Sequence, residues 1–172
     1  AGLDADLSEQ LKSSGAAKPL SVLTERIGYV KLNPNLPPFN DKRVREAVAR
    51  SIDKQGIVDG LLGGVDKPLD QMATSAHFGY VEGLKGYPYD LDEAKRLIKE
   101  AGAAGKSVAF ATSPTFDQRI VQAVAQMISD TGLTVNIEMT DMATYLKKAQ
   151  SAPASQPPIS FGRWSCACQD VD

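Results

Sequence analysis

The sequence predicts an α/β domain built on a largely parallel sheet. Between residues 91 and 164 the apolar residues alternate between a helical period and a strand period, in the order α-β-α-β-α-β. Strands separated by helices in this way read as parallel neighbours joined by crossovers. The 172 residues are 42% hydrophobic and 23% charged, too apolar for a disordered chain and long enough for one core of its own. No apolar run approaches the ~18 residues of a membrane helix.

The elements follow in order. Residues 5–13 read as a short polar helix, 16–18 as a turn and 20–23 as a short strand. Residues 27–32 read as a second strand, closed by the run NPNLPP at 33–38, whose three prolines keep the chain extended. A helix follows Asp41, with Val44, Ala47, Val48 and Ser51 as its inward stripe. Asp53 caps a further helix that stops at Gly63-Gly64. Residues 65–89 show no periodicity, and a loop this long lies over another surface or serves a site. Asp90 starts a helix with Glu93 at the capping-box spacing and Leu91, Ala94, Leu97, Ile98 and Ala101 on its apolar face. Residues 108–111 form a strand. Ser113-Pro114 opens a helix marked by Phe116, Ile120, Val124 and Ile128, which ends on Gly132 as its C′ glycine. Leu133, Val135, Ile137 and Met139 alternate with polar residues as a half-buried strand. A helix over Met142–Ala149, a loop (SAPASQPP) and a strand over 159–164 complete the chain.

Composition excludes several functions. With 19 basic and 21 acidic side chains the net charge is −2, which provides no basic footprint for nucleic acid. One histidine, His77, and two cysteines, Cys166 and Cys168, are too few for a disulfide framework or an evident metal site, and no cofactor is implied. The run GAAGKS at 102–107 has Glu100 where a phosphate loop needs its first glycine, and it sits after a helix instead of before one, so it reads as a turn. The acidic pairs Asp41/Asp53 and Asp90/Glu93 are accounted for by helix starts. His77 has no second histidine, and a loop histidine packed among aromatics is the simplest reading. Cys166 and Cys168 alternate along a strand end, so both thiols can face one pocket as a redox pair or half of a soft-metal site, though no companion ligands are evident. Trp164, with Arg163, stands at the end of the last strand, where open α/β sheets bind ligands and where an indole offers stacking area and an N–H donor.

Two blocks resemble a known family. The run LPPFNDKRVREAVARSIDKQGIVDGLLGG at 36–64 and the run GLKGYPYDLDEAKRLIKEAG at 83–102 are similar to the peptide/nickel-type solute-binding proteins of ABC importers. The matching positions include Pro38, Phe39, Asp41, Arg43, Val44, Arg45, Ile52, Asp53, Lys54, Tyr87, Pro88, Tyr89, Asp90, Ala94 and Lys95. The later run TGLTVNIEMTDMATYLKKAQ also looks like the family.

The resemblance implies one lobe of a type II periplasmic-binding-protein-like fold, a mixed, mainly parallel sheet flanked by helices. Residues 1–172 then form most of the second of two lobes, with 65–89 a long loop within it. The start Ala1-Gly2, without an initiator Met or an apolar leader, fits a piece of a longer or processed chain. The implied function is capture of a small solute (a peptide, opine, sugar or similar) between the two lobes and delivery to the cognate ABC permease, from the periplasm or from a lipid-anchored position outside the cell. Arg163, Trp164, Ser165, Cys166 and Asp170 are the implied ligand-binding residues, with no catalytic or metal set. Asp41, Arg43, Asp53 and the YPYD run are expected to stabilise the lobe. Three residues beyond Trp164, where peptide-binding members carry an aspartate for the peptide ammonium, this chain has Ala167. A thiol-dependent hydrolase or redox enzyme using Cys166 and Cys168 is the competing reading.

Overall fold

Five successive helices begin on an aspartate whose carboxylate accepts a backbone N–H of the first turn. They are α2 (Lys42–Ser51), α3 (Lys54–Leu61), α4 (Leu91–Glu100), α5 (Gln118–Ser129) and α6 (Met142–Ala149), capped by Asp41, Asp53, Asp90, Asp117 and Asp141 at 2.8–3.0 Å. Each cap satisfies a donor that the helix cannot satisfy itself. A short α1 (Ala5–Ser13) precedes them. The computed structural model describes residues 5–15, 17–20 and 24–165.

Four strands, β1 (Ile27–Leu32), β2 (Ser107–Thr112), β3 (Thr134–Met139) and β4 (Ile159–Trp164), form one sheet in the order β1-β4-β2-β3. β2 runs parallel to β3 and to β4, and β1 pairs antiparallel with β4, Tyr29 standing opposite Gly162. The crossover from β2 through α5 leads one way along the sheet, and that from β3 through α6 leads back past β2 to β4. Right-handed crossovers in opposite directions place α5 and α6 on opposite faces, and the carboxyl ends of β2 and β4 lie side by side.

The core joins β2 and β4 to α2, α4 and α5. Phe39, Phe110, Ile98, Ile128 and Ile159 are fully buried, together with Val44, Val48 and Val121. The inward stripe expected for α2 is the buried one. α2 and α4 are tied at both ends. Arg43 reaches from its Asp41 partner to the Glu100 carbonyl at 3.1 Å, and the Asp90 N–H donates to the Arg50 carbonyl at 2.9 Å. The Arg50 guanidinium lies 5.0 Å from the centre of the Tyr87 ring. Asp41, Arg43, Asp53 and Asp90 thus act as caps and ties.

Five local expectations are corrected. α5 starts at Gln118 and not at Ser113-Pro114, because residues 113–117 form a turn and Asp117 takes the cap. Phe116 therefore belongs to the turn, although it is buried as expected. Gly132 lies one residue past the C′ position of α5, since Asp130 is the C-cap. β3 is an edge strand, so only its start is covered, and Ile137 and Met139 are exposed. Glu93 does not close a capping box, since its carboxylate pairs with Arg96. Leu20 is exposed and outside any strand, and residues 21–23 of that expected strand lie outside the described residues. Residues 65–89 contain no helix or strand.

Candidate functional site

The carboxyl ends of β2 and β4 are held by a turn with little freedom. After β2, Phe116 N–H donates to the Ser113 carbonyl at 3.0 Å, and the Gln118 amide donates to the Ser113 and Phe116 carbonyls at 2.8 and 2.9 Å. Asp117 closes the turn by accepting from the Arg119 N–H and guanidinium. The Arg119 hydrogen bonds hold the Asp117 carboxyl below the usual range, even against the opposing effect of partial burial. Thr112 and Ser113 are fully buried, and Thr112 Oγ1 has no hydrogen-bond partner.

Arg163 reaches from the end of β4 across to this turn. Its Nη2 donates to the Thr115 carbonyl at 3.0 Å, and its guanidinium lies 5.4 Å from the centre of the Phe116 ring. Phe116 in turn meets Tyr145 and Phe161 edge-on, each at 5.4 Å between ring centres. Arg163 is thus a brace between two strand ends. Trp164, the next residue, is half-buried and points to the other side of the pleat. Ser165 is exposed beside it. Cys166 and Asp170, like Cys168 and Ala167, lie outside the described residues. Of the expected ligand-binding residues, Arg163, Trp164 and Ser165 therefore stand at one strand end.

A further residue joins them. The Trp164 ring packs against His77 at 5.2 Å between centres and 35° between planes. The long loop thus crosses to the carboxyl end of β4. His77 is buried at 4% exposure, and the Thr74 N–H and hydroxyl both engage its Nδ1, at 3.1 and 2.8 Å. Its Nε2 is buried with no hydrogen-bond partner. Sequence reasoning assigned His77 to aromatic packing, and the aromatic is Trp164. Its placement at the strand end was not legible, because 65–89 has no periodicity from which to place it. Among the described residues no group of three or more His, Cys, Asp or Glu could hold a metal ion.

The strand ends thus gather a half-buried indole, the buried His77 ring and a braced turn. A family model described as bacterial extracellular solute-binding proteins, family 5, middle, matches residues 1–172. The chain belongs to this family. Among curated relatives, a di/tripeptide-binding protein of Pseudomonas aeruginosa is 26% identical over 141 residues, which covers 77% of this chain and 26% of the relative. The chain thus spans about a quarter of that protein's length. Among solved structures, a periplasmic binding protein from Helicobacter pylori in complex with the peptide STSA superposes with a TM-score of 0.79 at 22% identity, covering 96% of this chain and 32% of that one. The mannopinic acid complex of a binding protein from A. tumefaciens R10 gives 0.80 at 21% identity, covering 95% and 33%. These likenesses give this chain the fold of the type II periplasmic binding proteins. The family and these relatives are binding proteins, and nothing in the comparisons supports a thiol enzyme. The family is extracellular, and among the described residues no helix is long and apolar enough to cross a membrane.

Proposed function

We propose that this chain is one lobe, the second, of a two-lobed solute receptor that serves an ABC importer. The observation that carries the reading is the family match across residues 1–172. The carboxyl ends of β2 and β4 supply the site, with Trp164 as platform and Ser165 beside it, and Cys166 and Asp170 follow in the sequence. Arg163 contributes by bracing the rim through Thr115 and Phe116. The first lobe of the same protein supplies the facing half. Hinge closure around the solute then presents a closed form to the cognate permease, and the solute acts by binding that form better than the open one. The receptor works in the periplasm or from a lipid anchor outside the cell. Solutes of the relatives' kinds, short peptides and opine acids, are the natural first probes, with a sugar and a metal chelate beside them.

The test is calorimetry and thermal shift on the full-length protein with trialanine, mannopinic acid, a sugar and a metal chelate. Binding at 100 times Kd stabilises by ~2.7 kcal/mol, an easily read shift. Trp164→Ala should weaken the binding by tenfold or more. The isolated 172-residue chain should bind at least tenfold more weakly than the two-lobed protein. No shift with any probe, or equal affinity of lobe and whole protein, overturns the reading.

A further inference from the structure

His77 is anchored on one edge and unsatisfied on the other. The Thr74 N–H donates to Nδ1 at 3.1 Å, and a backbone N–H can only donate, so Nδ1 is an acceptor and carries no proton. The Thr74 hydroxyl adds a second bond to the same nitrogen at 2.8 Å while accepting from the Ala76 N–H at 3.4 Å. The backbone locks the ring further. His77 N–H donates to the Thr74 carbonyl at 2.9 Å, and Tyr80 N–H donates to the His77 carbonyl at 3.3 Å. The neutral ring therefore carries its proton on Nε2. This N–H is buried, has no partner, and belongs to a ring in contact with Trp164. An unmet buried donor is costly, so a structure that holds one this firmly needs a reason.

We propose that the His77 Nε2–H is a solute-binding donor that takes a carboxylate oxygen of the solute beside Trp164, a reading that rests on the receptor function above. The chemistry at this strand end favours an anionic oxygen. The described side chains on this face contribute donors, namely His77 Nε2–H and the Trp164 indole N–H, while Arg163 lies on the opposite side of the pleat and is committed to the Thr115 carbonyl. The Asp117 carboxylate, in the turn that Arg163 reaches, is engaged by Arg119. In the free protein the Trp164 indole lies against the imidazole. An entering carboxylate moves the indole aside and meets a donor whose tautomer and position are already set. A site with a buried donor of this kind discriminates strongly against a solute without the matching acceptor, because the donor is then left unpaired.

Two substitutions separate anchor from donor. In His77→Asn the side-chain oxygen can replace Nδ1 as acceptor for Thr74, but nothing reaches the Nε2 position. In His77→Gln an amide N–H reaches that position. Full-length wild type and both variants are titrated calorimetrically with trialanine, mannopinic acid and the carboxamide of each. The expected result is a tenfold or greater loss for the acid form in H77N, retention within about threefold in H77Q, and a melting temperature of free H77N near wild type. Amidation should weaken binding to wild type and leave H77N little changed. If wild type binds the acids and H77N binds them equally well, the His77 assignment is overturned and the receptor reading stands. If wild type binds no probe, the receptor reading falls and takes the assignment with it. Should H77N fail to fold, equal wild-type affinity for acid and amide overturns the assignment, and a tenfold preference for the acid that persists in H77Q supports it.

Discussion

The ring of Tyr29 lies directly across Gly162 on the neighbouring strand. A Cβ at Gly162 would stand 2.7 Å from Tyr29 Cζ and 2.8 Å from its hydroxyl oxygen. The two residues face each other in the β1–β4 register, and Trp164 follows two residues on, on the same side of β4. A glycine inside a strand weakens it unless something must come close, and here an aromatic ring does.

Gly162→Ala should therefore destabilise the chain. Overpacking costs ~1–3 kcal/mol, and the lower entropy of the unfolded alanine chain offsets ~0.4–1 kcal/mol of that. A net loss of ~1–2 kcal/mol corresponds to a melting-temperature decrease of roughly 2–8 °C for a domain of this size. Adding Tyr29→Leu should recover part of the loss, since the two sites share one contact. Additive losses in the thermal melts of the double variant would show that the ring is not the obstacle.

Asn33 ties the end of β1 to the loop before β4. Its side-chain amide donates to the Pro153 carbonyl at 2.7 Å and the Gln156 carbonyl at 3.2 Å, and its Oδ1 accepts from Asn35 N and Nδ2 at 3.0 and 3.1 Å. It is buried at 2% exposure. Asn33→Ala should lose ~2 kcal/mol in thermal or urea unfolding, the net worth of these bonds. Asn33→Asp keeps the acceptor, loses both donors and buries a charge, so it should lose at least as much near neutral pH and recover on acidification. Equal stability of Asn33→Asp and wild type at pH 7 would contradict this.

The Tyr145 hydroxyl donates to the Phe161 carbonyl at 2.6 Å. Burial pushes its pKa above the usual value, more than a neighbouring hydrogen bond with Ser160 lowers it. The unfolded chain therefore ionises this tyrosine first. Its contribution is complete below about pH 10 and is lost as pH rises through the folded-state value. Tyr145→Phe should cost ~1 kcal/mol at pH 7, and the gap to wild type should close as pH rises above 10. A gap constant with pH in urea titrations would exclude this role.

What the sequence made legible is what its local chemistry determines. The caps at Asp41, Asp53 and Asp90, the stripes of α2 and α4, the strand at 159–164 and the position of Trp164 all follow from residues within a turn or a strand of one another. What it left open depends on partners far along the chain. The exposure of Ile137 and Met139 follows from the place of β3 at the sheet edge, which alternation cannot show. The turn at 113–117 resembles a helix start because Phe116 falls on the spacing of α5, and only the cap at Asp117 separates them. His77 meets Trp164 across 87 positions, and the aperiodic loop between 65 and 89 gives no register from which to infer that contact.

Asp117 offers a test of the rim under acid. Its carboxylate caps α5 and pairs with the Arg119 guanidinium, with Arg119 Nη2 at 2.9 Å. Asp117→Ala removes both and should cost ~1 kcal/mol, the usual worth of a cap. Asp117→Asn keeps the cap and loses the charge. The wild-type carboxyl titrates below the usual range because Arg119 hydrogen-bonds its ionised form. The stability this group adds is thus present above about pH 4, where the unfolded aspartate is also ionised, and is lost as pH falls through the lower folded-state value. Asp117→Asn should be less stable than wild type at pH 7, and the two should converge as pH falls below 4. The turn that Asp117 closes also receives Arg163 through the Thr115 carbonyl. Amide exchange at residues 113–117 should therefore quicken in Asp117→Ala and in Arg163→Ala alike. Quickening in only one of them would show that the two side chains do not support a common rim.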